Sequence, residues 1–120
     1  KNNESIEMWG DGDQTRSFLY VDECVEGTIR LMRGDWTGPV NIGSEEMVSI
    51  NTLADIIIKI AGNKDLEIKH IPGPLGVRGR NSDNRLIKEM LGWSPSQPLA
   101  EGLKTTYQWI ADQVKNKYGA

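Results

Sequence analysis

Cysteine, histidine and phenylalanine each occur once among the 120 residues. A lone thiol, Cys24, excludes an intrachain disulfide and suits a reducing cytoplasmic setting. One imidazole, His70, and one thiol are too few ligands for a closed metal site. No apolar run approaches the roughly 18 residues a membrane helix needs. The run Ile56-Ile57-Ile58 is bracketed at once by Asp55 and Lys59. Basic residues are not in excess. Fourteen Lys and Arg against 17 Asp and Glu leave a net charge of −3, which argues against nucleic acid or an anionic membrane as the main partner. No basic start followed by an apolar stretch occurs, so no secretory leader is expected. There is no G-x-G-x-x-G and no P-loop, and so no phosphate-cradling fingerprint of either kind.

What remains is an ordinary soluble composition, 38% hydrophobic and 26% charged. Such a chain forms one domain or part of one. The opening Lys1-Asn2-Asn3-Glu4-Ser5 has no initiator methionine. A tag scar, a truncated reading frame and a proteolytic piece each account for that.

The pattern is strand, loop and helix, repeated. Ser5 to Trp9 and Thr15 to Tyr20 read as strands around the loop Gly10-Asp11-Gly12-Asp13. Asp22 is placed to cap a helix whose apolar stripe runs Val21, Cys24, Val25, Thr28, Ile29 and Met32. That stripe is expected to face the core, with Cys24 a buried structural thiol. Gly34 is the expected stop. Pro39–Ile42 and Val48–Ile50 read as short extended pieces, and Glu67–Ile71 as a strand. Asn51 is a candidate cap for a second helix carrying Leu53, Ala54, Ile57 and Ile60. Ser82 or Asp83 is the candidate cap for a third, and Pro98 suits the first position of a fourth. The expected fold class is mixed α/β, with short strands and four helices.

Two segments carry chemistry. Arg16, in Gln14-Thr15-Arg16, lies at a loop-to-strand junction, where its planar fork of donors suits a phosphate or pyrophosphate. Arg78-Gly79-Arg80 ends a glycine- and proline-rich loop just before a helix start, a second anion-favouring arrangement. Together they suggest a diphosphate clamp. The alternative at each place is a surface ion pair with a nearby acid. His70 shows no catalytic partner. Asp11 and Asp13 lack the closing glutamate of a calcium loop. Trp109 lies off its helix's main apolar stripe and could mark a contact surface.

Three longer segments carry a resemblance: Met8–Gly27 (MWGDGDQTRSFLYVDECVEG), Pro39–Asn51 (PVNIGSEEMVSIN) and His70–Pro95 (HIPGPLGVRGRNSDNRLIKEMLGWSP). They resemble the C-terminal part of the extended short-chain dehydrogenase/reductases, NAD-dependent nucleotide-sugar epimerases and dehydratases. The resemblance implies that residues 1–120 are the substrate-binding lobe of a larger protein, a cytoplasmic homodimer. Its NAD would be bound by a Rossmann domain upstream. It implies a GDP-sugar as substrate, with a UDP- or dTDP-sugar enzyme or a non-catalytic binding module as alternatives. By the same resemblance, Gln14, Thr15, Arg16 and Arg80 contact the nucleotide diphosphate, with Arg78 a weaker candidate. It carries no catalytic, cofactor or metal residue onto this chain, and Cys24 does not match the family's acid/base cysteine.

Overall fold

Residues 5–119 are described by a computed structural model. In chain order the elements are β1 Ser5–Trp9, β2 Thr15–Ser17, α1 Val21–Arg33, β3 Met47–Ser49, α2 Ile50–Ala61, β4 Glu67–Ile71, β5 Gly79–Arg80, α3 Arg85–Leu91 and α4 Leu99–Tyr118. The expected mixed α/β class with four helices is what forms. β1 and β4 pair in parallel from Ser5↔Glu67 to Trp9↔Ile71. A second sheet has the order β3-β2-β5, with β2 antiparallel to β3 and parallel to β5.

Several boundaries differ from the sequence reading, each for a local reason. The second strand stops at Ser17, because β3 and β5 supply partners only that far. Pro39–Ile42 joins no ladder and stays irregular. Asp22 lies inside the first turn of α1, beside Glu23, where both acids complement the helix dipole; the cap position is Tyr20. α2 is capped by Ser49, whose hydroxyl accepts from the Thr52 N–H at 3.0 Å, which frees Asn51 for other bonds. At α3 the cap position is Asn84, although Asp83 Oδ1 still accepts from the Arg85 N–H at 3.1 Å. Pro98 precedes α4 by one residue.

The larger correction concerns α1. Its expected core stripe is exposed: Val21, Val25 and Met32 are 62%, 50% and 80% accessible, and Cys24 is an exposed free thiol. The helix packs instead through Gly27. A Cβ there would stand 2.8 Å from the Trp93 ring and 3.1 Å from Ile42. Glu23, on the same side, accepts from the Ser96 and Gln97 N–H groups at 2.6 and 3.0 Å. Arg30 lies 5.5 Å from the centre of the Trp93 ring. A polar anchor and one close backbone approach thus dock the face that the hydrophobic pattern assigns to solvent.

The interior is correspondingly thin. Met8, Ala54, Ile87 and Leu99 are the buried hydrophobic residues among those described. The accessible surface is 8746 Å². A self-contained monomer of this mass exposes about 6,500 Å². The radius of gyration is 17.2 Å, against about 13.6 Å for a compact domain of this length.

Candidate anion-binding site

β2 and β5 come from segments more than sixty residues apart in sequence, and they pair in parallel with Arg16 opposite Arg80. Register partners on neighbouring strands lie roughly 4.8 Å apart, with side chains on one face of the sheet. Both arginines line one cavity of about 370 Å³, together with Ser44, Asn81 and Ser82. No carboxylate lines it. Arg16 Nη1 donates to the Thr15 carbonyl at 2.7 Å. The ion pairs among the described residues are Arg30–Glu26, Arg78–Asp11 and Arg85–Asp83, so no acid among them neutralises Arg16 or Arg80. Two guanidinium groups facing one hollow without a counter-charge favour a bound anion. The hydroxyls and amides of the rim add neutral donors.

The rim is held by a buried polar knot. Asn84, 5% accessible, donates from Nδ2 to the Gly43 carbonyl at 2.7 Å and accepts from the Ser82 hydroxyl at 2.7 Å. Its N–H donates to Glu45 Oε1 at 3.0 Å. These bonds tie the 43–45 loop to the 82–84 loop, so the two cavity walls share one frame. A Cβ at Gly43 would come within 2.6 Å of Ser82 Cβ, so the close approach requires glycine there.

The other sequence candidates lie apart from this cavity. Gln14 faces a different, mainly apolar groove formed with Ile6, Trp9, Leu53 and Pro74, and its Oε1 is buried without a partner. Thr15 is opposite Gly79, its hydroxyl 3.5 Å from the Arg78 carbonyl. Arg78 points away to Asp11, 3.3 Å between charged atoms, with its side chain 76% accessible. Asp11 is held below its ordinary range, chiefly by the Asp13 N–H, with burial working the other way and Arg78 assisting. Asn84 and Ser44 escape the sequence reading. Nothing in their local pattern distinguishes them from loop residues, and only bonds between distant loops, which include the Ser82 N–H to the Ser44 carbonyl at 3.3 Å, give them a role. His70 meets an amide and no acid, Nε2 lying 2.9 Å from Asn51 Oδ1.

With this geometry in hand, comparison with known proteins is informative. Residues 1–43 match the NAD dependent epimerase/dehydratase family. The GDP-mannose 3,5-epimerase of Arabidopsis thaliana is 58% identical over 95% of this chain. The fold is similar to that of the UDP-glucose 4-epimerase of Thermotoga maritima solved with UDP-glucose, with a TM-score of 0.85 and 31% identity over 92% of this chain. A UDP-glucuronic acid 4-epimerase of Bacillus cereus solved with NAD gives 0.75 and 28% over 89% of this chain. Over these stretches the chain is similar to members of the NAD dependent epimerase/dehydratase family. Within it, the GDP-mannose 3,5-epimerases of Arabidopsis and of rice share the same 58% identity with it. The chain spans 30% of the length of these curated relatives and 36% and 34% of the two solved structures.

Proposed function

We propose that this chain is the nucleotide-sugar-binding lobe of an NAD-dependent GDP-mannose 3,5-epimerase, and that the Arg16–Arg80 cavity holds the diphosphate of the substrate. The observation that carries the reading is the pairing of two un-neutralised arginines from distant loops on one face of one sheet. The 58% identity to GDP-mannose 3,5-epimerases favours GDP-mannose over other nucleotide sugars.

The residues of this chain do not fit a dinucleotide. The glycine-rich strand–turn–helix fingerprint is lacking, so NAD is assigned to a preceding Rossmann domain of a longer polypeptide. Bound there, NAD would supply reversible oxidation of the hexose at C4, which would acidify the protons at C3 and C5. The acid/base pair that moves those protons also lies outside this chain. Arg16 and Arg80 act at the far end of the substrate. Fixing the diphosphate fixes where the sugar ring can sit, which turns binding energy into alignment. Thr15 lies on the same strand as Arg16, Gln14 directly precedes that strand, and Arg78 serves its loop through Asp11.

The exposed α1 stripe and the surplus surface fit a lobe whose remaining wall is supplied by another domain. The test is incubation of the full-length polypeptide with NAD and GDP-mannose in deuterated water. Epimerised GDP-hexoses carrying deuterium at C3 and C5 are expected. Unchanged, undeuterated GDP-mannose would overturn the assignment.

A further inference from the structure

The loop that delivers Arg16 is bound at three consecutive residues by one asparagine. Asn51 lies inside the first turn of α2, where Ser49 already does the capping. Its Nδ2 donates to the Asp11 carbonyl at 3.0 Å and to Asp13 Oδ1 at 3.2 Å. Its backbone N–H donates to the Gly12 carbonyl at 3.0 Å. Three consecutive loop residues are thus bound to a single asparagine about forty positions away.

The remaining end of the amide is also occupied. Both Nδ2 hydrogens are committed to oxygen acceptors, so Oδ1 faces His70 at 2.9 Å, and the proton in that bond belongs to His70 Nε2. Gly12 is built for this approach. It is buried with φ +72°, and a Cβ there would stand 2.2 Å from Asn51 Oδ1. Beyond the loop, the Gln14 carbonyl accepts from the Ile50 N–H at 3.1 Å, and the Thr15 N–H donates to the Arg78 carbonyl at 2.8 Å. The backbone is therefore tied at every step from Asp11 to the residue before Arg16.

We propose that Asn51, oriented by His70, is a positioning residue for the anion site. It clasps Asp11–Asp13 and so fixes the entry into β2 that sets Arg16 beside Arg80. This rests on the nucleotide-sugar reading above. Neither side chain touches the cavity, so the effect runs through preorganisation. With the loop released, the ordering of Arg16 would have to be met at the moment of binding.

The test is calorimetric titration of the full-length polypeptide with GDP-mannose. Asn51→Asp is isosteric and keeps an oxygen toward His70. It also places an oxygen against the Asp11 carbonyl and Asp13 Oδ1, which opens the clasp. A carboxylate in the first turn of α2, which has none, favours the helix itself. Fold stability is thereby separated from loop order. A roughly tenfold rise in Kd is expected, the scale of losing one or two net hydrogen bonds, with the melting temperature held within a few degrees and KM changed more than kcat. His70→Leu should weaken binding by a few-fold, and His70→Gln, which can still donate from Nε2, should restore it. An unchanged Kd for Asn51→Asp overturns the clasp and leaves the nucleotide-sugar reading standing. Absence of GDP-mannose binding by the unaltered protein overturns both. Lost affinity accompanied by a collapse of the melting temperature assigns Asn51 to folding and overturns the positioning role. Equal losses for His70→Leu and His70→Gln overturn the part given to His70.

Discussion

Produced alone, residues 1–120 should not behave as a well-formed monomer. The chain exposes 8746 Å², a surplus of about 2,200 Å² over a compact protein of its mass. A standard protein–protein interface takes only about 800 Å² from each partner. The surplus includes the exposed apolar side chains of α1, Val21, Val25, Ile29 and Met32, and of α4, Trp109, Ile110 and Val114. The expected result is concentration-dependent association in size-exclusion chromatography with light scattering, together with strong binding of a hydrophobic dye. Val25→Lys with Met32→Lys sharpens the test. In the isolated chain the pair should reduce association. In the full-length protein it should destabilise by about 3 kcal/mol or more, because each side chain forfeits burial worth roughly 1.5–3 kcal/mol. A dye-silent, monodisperse 120-residue monomer would refute the reasoning, as would a full-length double variant that unfolds at the original denaturant concentration.

Other outcomes follow from single sites. Gly12→Ala should cost about 1–3 kcal/mol, since alanine must take up φ +72° and also meet Met8 Sδ at 2.4 Å; urea midpoints read it. Ile87 is fully buried, so Ile87→Ala should cost about 2–5 kcal/mol by the same assay. Asp83 is held down to about 2, first by the Arg85 side chain and then by the Arg85 N–H. A depressed carboxylate contributes its stabilisation fully above its ordinary value of 3.8 and loses it as pH falls through about 2. The difference between urea midpoints at about pH 5 and about pH 2 should therefore shrink in Asp83→Asn. An undiminished difference would remove Asp83 from the acid response.

Much of the fold was legible because it follows from short-range rules. β1 and β4 form at the segments read as strands, and α1 ends at the expected Gly34. Arg16 and Arg80 were legible as anion-seeking residue types in shaped loops, but their register was not, because strand pairing across sixty-four positions leaves no local trace. α1 was misread for an instructive reason. Periodicity reports which face is apolar, and not whether the partner of that face lies within the same chain. Cys24 lies on the same stripe and is exposed with it. Asn51 and Asn84 were illegible because asparagine in a loop or first turn is ordinary, and its role here depends on backbone groups about forty residues away.

The central claim is that Arg80 and Arg16 hold a substrate diphosphate while Arg78 does not share that cavity. Titration of GDP-mannose into full-length protein carrying Arg80→Ala, beside Arg78→Ala, tests it most directly. Arg80→Ala should weaken binding by about 2–4 kcal/mol, the scale for truncating one side of a charged hydrogen-bonded contact, because Arg80, exposed in the chain alone, would be covered by the bound diphosphate. Arg78→Ala, which breaks only its exposed pair with Asp11, should cost less than about 1 kcal/mol. Equal affinity for Arg80→Ala and the unaltered protein would contradict the account, and so would a larger loss from Arg78→Ala than from Arg80→Ala.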